Sequence, residues 1–155
     1  MRLSLAGTAL AAAALMAALR PVTALELENA ARGRTFRATI RPGEVFSVVY
    51  HHSMYDQPVT EEFVVEDGWI VLEAVSSPSA AVREYFGILA AGERHAMRRA
   101  MPEVVFRVAA GTPQRLRVAG VERSFLEVGD HGDRIVMRAA RRTAAAGWLM
   151  ASAAR

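Results

Sequence analysis

The sequence contains no cysteine and no lysine, and only 7% of its residues are aromatic. The absence of cysteine excludes disulfide bonds, thiolate nucleophiles and zinc ribbons, while it leaves the redox compartment open. All 19 basic residues are arginines, which indicates genome composition more than function. The sequence has no internal repeat and no Gly-x-Ser-x-Gly elbow, so nothing in it supports an α/β-hydrolase triad.

Excess positive charge is also missing from the body of the chain. The net charge is +3, and Arg2 and Arg20 supply two of these charges, which leaves +1 for the sequence after residue 24. A near-neutral domain lacks the charge excess that nucleic-acid binding requires, so no nucleic-acid partner is expected. The pI of about 10.1 reflects the strength of the arginine base, not a basic surface.

One long apolar run is present, and it lies at the N-terminus. A positive start at Arg2 precedes residues 3–19, which are uncharged and rich in Ala and Leu, and Val22 and Ala24 fit the −3 and −1 positions of a cleavage site. Residues 1–24 are therefore predicted to be a signal peptide or, because the run reaches the lower limit for spanning a bilayer, an uncleaved N-terminal anchor. Both alternatives predict a periplasmic or exported domain, which contacts the cytoplasmic membrane only if the segment is uncleaved.

Alternation of apolar and polar residues dominates the chain after residue 24 and predicts short, half-buried strands. The clearest case is Arg34–Ile40, where every second residue is apolar. Further strands are predicted at 25–28, 45–52, 60–66, 69–75, 103–109, 115–118, 123–128 and 134–138. The Asp-Gly pair at 67–68 predicts a two-residue hairpin, and Trp69 and Phe106 are predicted to be core residues.

One helical segment interrupts the predicted strands. Ser79 fits an N-cap, the apolar residues of 80–91 lie near helical spacing, and residues 92–101 are predicted to form an exposed turn or a short helix. Residues 25–139 are thus predicted to be an all-β, mostly antiparallel domain. We expect a β-sandwich or small barrel of about eight strands with one short helical insertion. Residues 140–155 are predicted to be a C-terminal tail, either frayed or a short surface helix.

Titratable side chains concentrate at 51–63, between two predicted strands. If both strands are regular, His52 shares an apolar face with Tyr50, and Glu61 shares one with Phe63. If these strands pair, both side chains can point into the same end of the core. Two interpretations stay open: a buried His–Glu hydrogen bond that fixes the loop, and a ligand or metal site in which the carboxylate orients the imidazole.

The candidate site follows from this placement, and no catalytic residue is assigned. The ligand-binding or structural motif comprises His52, Ser53, Tyr55, Pro58 and Glu61. No cofactor is expected, but a metal would use His51, His52 and Glu61. Adjacent strand residues point to opposite faces, so the two histidines can share an ion only if the strand has ended.

Two other polar clusters are predicted to be solvated. His131 lies in the Gly-Asp-rich segment 129–133 and is predicted to be at a hairpin tip. Arg94, His95, Arg98 and Arg99 could hold a carboxylate or phosphate, or they could form a solvated basic face.

The segment from Gly43 to Phe63 resembles a known protein family. Gly43–Tyr50, His52-Ser53, Pro58-Val59, Glu61 and Phe63 resemble the signature of the domain-of-unknown-function 1850 family. The similarity runs from about Leu25 to Ala139, although Ser77–Val82 stands where the family has a Gly-Ala-Gly-Leu-Pro-like loop. Members are small exported proteins often encoded beside TAXI-type TRAP transporters, so the resemblance implies an accessory role in solute uptake.

The sequence is compatible with three functions. The first is a non-enzymatic accessory or small-ligand-binding module of a TAXI-type TRAP transporter, with the permease or the solute receptor as partner. The second is a metal-binding or metal-dependent hydrolytic protein that uses His51 or His52 with Glu61. The third is a purely structural envelope protein held by its N-terminal segment.

Overall fold

The computed structural model describes residues 14–145, and its architecture is an antiparallel β-sandwich. The strands are β1 Pro21–Asn29, β2 Arg34–Ile40, β3 Phe46–His51, β4 Pro58–Glu66, β5 Trp69–Ser76, β6 Arg94–Met101, β7 Glu103–Arg107, β8 Arg115–Val118, β9 Val121–Ser124 and β10 Arg134–Thr143. Helix α1 Ala80–Tyr85 and the 3₁₀ turn Phe125–Glu127 accompany them. The predicted all-β, mostly antiparallel class is confirmed.

The strands form two open sheets, not a closed barrel. One sheet has the order β2-β1-β10-β7, and the other has the order β6-β5-β4-β3-β8-β9. Each neighbouring pair is antiparallel. The edge strands β6 and β7 are consecutive in sequence and are separated only by Pro102. The chain therefore passes directly from one sheet to the other at this edge, and it also changes sheet between β2 and β3, between β7 and β8, and between β9 and β10.

The core lies between the sheets and is built by side-chain alternation. Leu25 and Leu27 of β1 and Val48 of β3 are fully buried and belong to one apolar cluster. Phe46 and Phe63 stack across β3 and β4 with ring centroids 5.5 Å apart, an arrangement that adds to the stability gained from burial. Because the inward rows of both sheets meet in this cluster, the two layers form one domain.

Local predictions near β5 are confirmed in part. Asp67 and Gly68 connect β4 to β5 with φ values of 49° and 85°, which is the positive-φ geometry of the predicted two-residue hairpin. Phe106 is buried as expected, but Trp69 is 48% exposed and the prediction that it is a core residue is wrong. Alternation at the hairpin end directs Ile70 inward, so Trp69 points outward.

The predicted turn or short helix at 92–101 is wrong, because Arg94–Met101 is the edge strand β6. Its inward positions include Met97 and Met101, which pack against the core. The outward Arg94 and Arg98 form ion pairs with glutamates of β4. Pairing with β5 therefore determines the structure of this segment, although its arginine-rich sequence favours an exposed turn or short helix.

Helix α1 begins where predicted but ends earlier. The Ser79 hydroxyl accepts a hydrogen bond from the Val82 amide, which confirms the N-cap. The predicted end at residue 91 is wrong, because Gly87 has φ 75°. The amides of Gly87 and Ile88 donate to the carbonyls of Glu84 and Arg83, so the helix closes in a Schellman motif.

The sheet extends beyond the predicted limits of 25 and 139 at both ends. β1 begins at Pro21, which pairs with Thr143 at the end of β10, so the predicted tail is strand up to that residue. Cross-strand pairing and the ion pair between Glu26 and Arg142 support this extension, and neither is visible in local sequence. The strand predicted at 123–128 is instead β9 followed by the 3₁₀ turn, which a Ser124–Glu127 capping box begins.

The predicted leader and tail lie partly outside the described residues. Of the predicted leader, residues 1–13 are not described, residues 14–19 are helical, and residues 21–24 belong to β1. Residues 146–155 of the predicted tail are likewise outside the described range. Within residues 14–145, no helix combines the length and apolar character needed to cross a membrane.

Candidate functional site

His52 lies at the point where β3 ends and the following loop begins. Its amide donates to the Gln57 carbonyl at 2.9 Å, and its carbonyl accepts from the amides of Tyr55 and Asp56 at 3.2 and 2.8 Å. These bonds close the loop around His52, whose residue exposure is only 6%. The predicted burial of His52 is therefore confirmed.

Aromatic rings enclose the His52 side chain. Tyr55 lies 5.1 Å from it, and Tyr85 of α1 meets it edge-on at 4.6 Å, both measured between ring centroids. The Met54 amide donates to Nδ1 at 3.4 Å, so this nitrogen accepts a hydrogen bond from the loop backbone. Helix α1 thus attaches to the loop through the imidazole.

Tyr50 and Glu61 form the polar pair that faces the core. Tyr50 is opposite Val59 in the β3–β4 ladder, so Glu61 lies two residues further along on the same face. The Tyr50 hydroxyl donates to Glu61 Oε1 at 2.9 Å. Burial raises the pKa of Glu61, and this hydrogen bond opposes only part of that rise. Burial and the nearby carboxylate likewise raise the pKa of Tyr50.

The predicted hydrogen bond between His52 and Glu61 is wrong. Glu61 is opposite Val48, four residues before His52, a distance of roughly 13 Å along an extended strand. Tyr50 lies between the two and takes the carboxylate as its partner. His52 and Glu61 share the inward face, as parity predicts, but the register keeps them apart.

The other predicted site residues lie outside this pair. Tyr55 packs on His52, whereas Ser53 and Pro58 are exposed. His51 is exposed, and its Nδ1 lies 3.2 Å from Asp56 Oδ1. The structure therefore does not bring His51, His52 and Glu61 together, and residues 14–145 contain no group of three potential metal-ligating side chains. That finding leaves the metal hypothesis untested.

The remaining polar clusters are locally paired. His131 Nδ1 is 2.6 Å from the Ala109 carbonyl, and His95 Nε2 is 2.8 Å from the Gly92 carbonyl. Arg94 bonds Glu62 through two guanidinium nitrogens. The four-residue basic cluster is thus not one site, and Arg99 is directed elsewhere.

A cavity of about 550 Å³ opens between the sheets at the β6–β7 edge. Its deep side includes the buried residues Phe63, Leu72 and Phe106, together with the Tyr50–Glu61 pair. Its solvent side includes Tyr85 and Arg99, which are exposed. A cavity of this size, in which apolar walls meet the Tyr50–Glu61 pair and a few other polar residues, has the features of a small-molecule site.

The sequence predicts neither Tyr50 nor Tyr85 as a site residue, and it predicts Arg99 only as part of a basic cluster that could hold a carboxylate or phosphate. Alternation places Tyr50 in the inward row of β3, but only the register of β3 and β4 gives it Glu61 as a partner. Tyr85 and Arg99 lie far from the 51–63 stretch in sequence and reach the cavity only through the docking of α1 and the pairing of β6 with β5. Three tyrosines occur in the chain, and all of them lie beside His52 or the cavity. The small number of tyrosines is the one feature of the sequence that points to these positions.

Comparison with protein-family models, curated proteins and solved structures finds no match to the chain. The family resemblance therefore stays a prediction, and the geometry of the cavity is the basis for any functional conclusion.

Proposed function

We propose that the protein is an exported, non-enzymatic binding module that holds a small solute in the inter-sheet cavity and assists a TAXI-type TRAP transporter. The observation that supports binding is the cavity itself, in which the Tyr50–Glu61 pair is set into apolar walls. A ligand gains affinity from the apolar surface, and the polar pair fixes its orientation. The transport role comes from the family resemblance.

The rival cavities fit a ligand less well. A cleft of about 500 Å³ beside Ser47, Thr60 and Val121 includes the exposed ion pair between Arg117 and Glu122. These two charges are already paired with each other, which leaves neither available to a ligand. Both cavities reach buried core side chains, but the inter-sheet cavity differs because its lining includes the part-buried Tyr50–Glu61 pair.

Filling the cavity tests this proposal. Met97 lies in the wall and is half-buried, whereas Leu89 is 92% exposed and lies outside the wall. We expect the neutral fluorescent probe N-phenyl-1-naphthylamine to bind the wild type and the Leu89→Trp control, and to bind Met97→Trp at least about tenfold more weakly. Equal binding by all three proteins contradicts the proposal. Thermal unfolding of each variant verifies that it is folded.

The proposed transport role also predicts which genes lie next to the gene for this protein. A gene for an accessory protein of a TAXI-type TRAP transporter should lie beside genes for a TRAP permease and a solute receptor. A neighbourhood that contains neither contradicts the transport role and leaves the cavity proposal standing.

A further inference from the structure

Arg99 differs from the other arginines of β6. Arg94 Nη2 lies 2.7 Å from Glu62 Oε2, and Arg98 pairs in the same way with Glu66. Within residues 14–145, the Arg99 guanidinium forms neither an ion pair nor a hydrogen bond. It is therefore a cation of β6 that the fold leaves available to a ligand.

The register of β6 directs Arg99 to the cavity. Arg99 is opposite Leu72 of β5, and opposed residues in an antiparallel ladder share a face. A register shift between Leu72 and Ala74 follows immediately. Met97, Arg99 and Met101 consequently line the cavity, while Arg98 points to the ion pair on the other face.

The charges around the cavity favour an anion. Its ionisable lining residues are Glu61, Arg99 and Arg107, with Tyr50 and Tyr85 as the phenols. Glu61 is occupied by Tyr50, and burial favours its uncharged form. Arg107 donates only to the Gly132 carbonyl. The unpaired Arg99 guanidinium thus meets a single carboxylate in the lining, and Tyr50 already bonds that carboxylate.

We infer that the occupant of the cavity is a small amphiphilic carboxylate, with its carboxylate on Arg99 and its apolar part against Phe63, Leu72 and Phe106. This inference rests on the proposed function, since it names the ligand class of the same cavity. A guanidinium binds a carboxylate through parallel N–H donors. The apolar wall selects a hydrocarbon body over a polar one.

Titration calorimetry with octanoate and its neutral counterpart octanamide tests the inference. We expect octanoate to bind the wild type more tightly than octanamide does. Arg99→Gln should weaken octanoate binding about ten- to a hundredfold and leave octanamide binding unchanged. Arg98→Gln is the matched control, because it removes the neighbouring exposed guanidinium on the opposite face, and it should bind octanoate as the wild type does.

The possible outcomes separate this inference from the proposed function. Equal binding of octanoate and octanamide, or equal losses in Arg99→Gln and Arg98→Gln, overturns the carboxylate inference but leaves the cavity as a binding site. If neither octanoate, octanamide nor N-phenyl-1-naphthylamine binds the folded wild type, both conclusions fail. Both arginines are exposed, so these substitutions should leave the fold intact.

Discussion

At the scale of single residues, burial sets the chemistry of the Tyr50–Glu61 pair. A carboxyl group in apolar surroundings favours its protonated form, and a tyrosine hydroxyl can donate to either form. Glu62, the next residue along β4, points to the other face and bonds Arg94. The pKa values of two adjacent glutamates therefore shift in opposite directions, because strand alternation places one in apolar surroundings and the other beside Arg94.

This contrast predicts opposite pH dependences for two substitutions. The folded-state pKa of Glu61 is raised, so its contribution to stability is fully present below the unfolded pKa and is lost as the pH rises through the folded pKa. The free energy of unfolding of Glu61→Gln, relative to wild type, should therefore increase as the pH rises above about 4.3. Urea unfolding across that range measures the difference.

Glu62→Gln is the matched control. Its Arg94 hydrogen bond lowers the pKa of Glu62, so the ionised form contributes stability above the unfolded pKa that is lost as the pH falls through the folded pKa. This variant should become less stable than wild type as the pH rises. Parallel pH trends for the two variants would show that Glu61 is not desolvated.

Strand parity predicted the inward face of His52 and Glu61, but it could not predict their partners. Parity depends on local alternation, whereas a hydrogen bond between strands depends on register, which is a long-range property. Register placed Tyr50 beside Glu61 and Arg99 opposite Leu72. The sequence alone therefore could not predict the neighbours of Tyr50 and Arg99.

At the scale of elements, α1 holds one wall of the site, and its end depends on Gly87. The residue occupies the left-handed C′ position of the Schellman motif, and a Cβ there would meet no atom within 4 Å. Gly87→Ala should thus lower the free energy of unfolding by about 1 kcal/mol through backbone strain alone. Gly111→Ala is the control, because Gly111 is equally uncrowded and lacks a positive φ. Equal losses in urea unfolding would contradict this assignment.

The N-terminal strand makes a second prediction at this scale. Ala24 is 4% exposed and lies between Thr39 and Ala140 in the ladders of β1. Cleavage after Ala24 would remove four residues of this central strand. A chain that begins at Leu25 should therefore be roughly 2–4 kcal/mol less stable than one that begins at Pro21, because it loses several ladder hydrogen bonds. Equal urea midpoints for the two chains would show that residues 21–24 are dispensable.

Elements with strong local signals were predictable, and elements defined by pairing were not. The Asp67-Gly68 hairpin and the Ser79 N-cap carry their own chemistry and were found. β6 was missed because its pattern of arginines resembles an exposed turn. The ends of β1 and β10 were missed because each is specified by the other, more than a hundred residues away in sequence.

At the scale of the whole molecule, the cavity exists because the consecutive edge strands β6 and β7 separate into different sheets. β6 and β7 belong to different sheets and are separated only by Pro102, so the interior opens between them. The sequence predicted two packed layers from alternation, but not where they separate. The cavity, and not the 51–63 stretch alone, is therefore the binding site that we propose.

The most direct test of this claim is an NMR titration of the ¹⁵N-labelled protein with N-phenyl-1-naphthylamine. If the cavity binds the probe, amides in its wall at Glu61, Met97 and Phe106 should show saturable shifts, and Val45 and Val121 in the outer cleft should show none. Shifts confined to the outer cleft, or none at all, would contradict this claim.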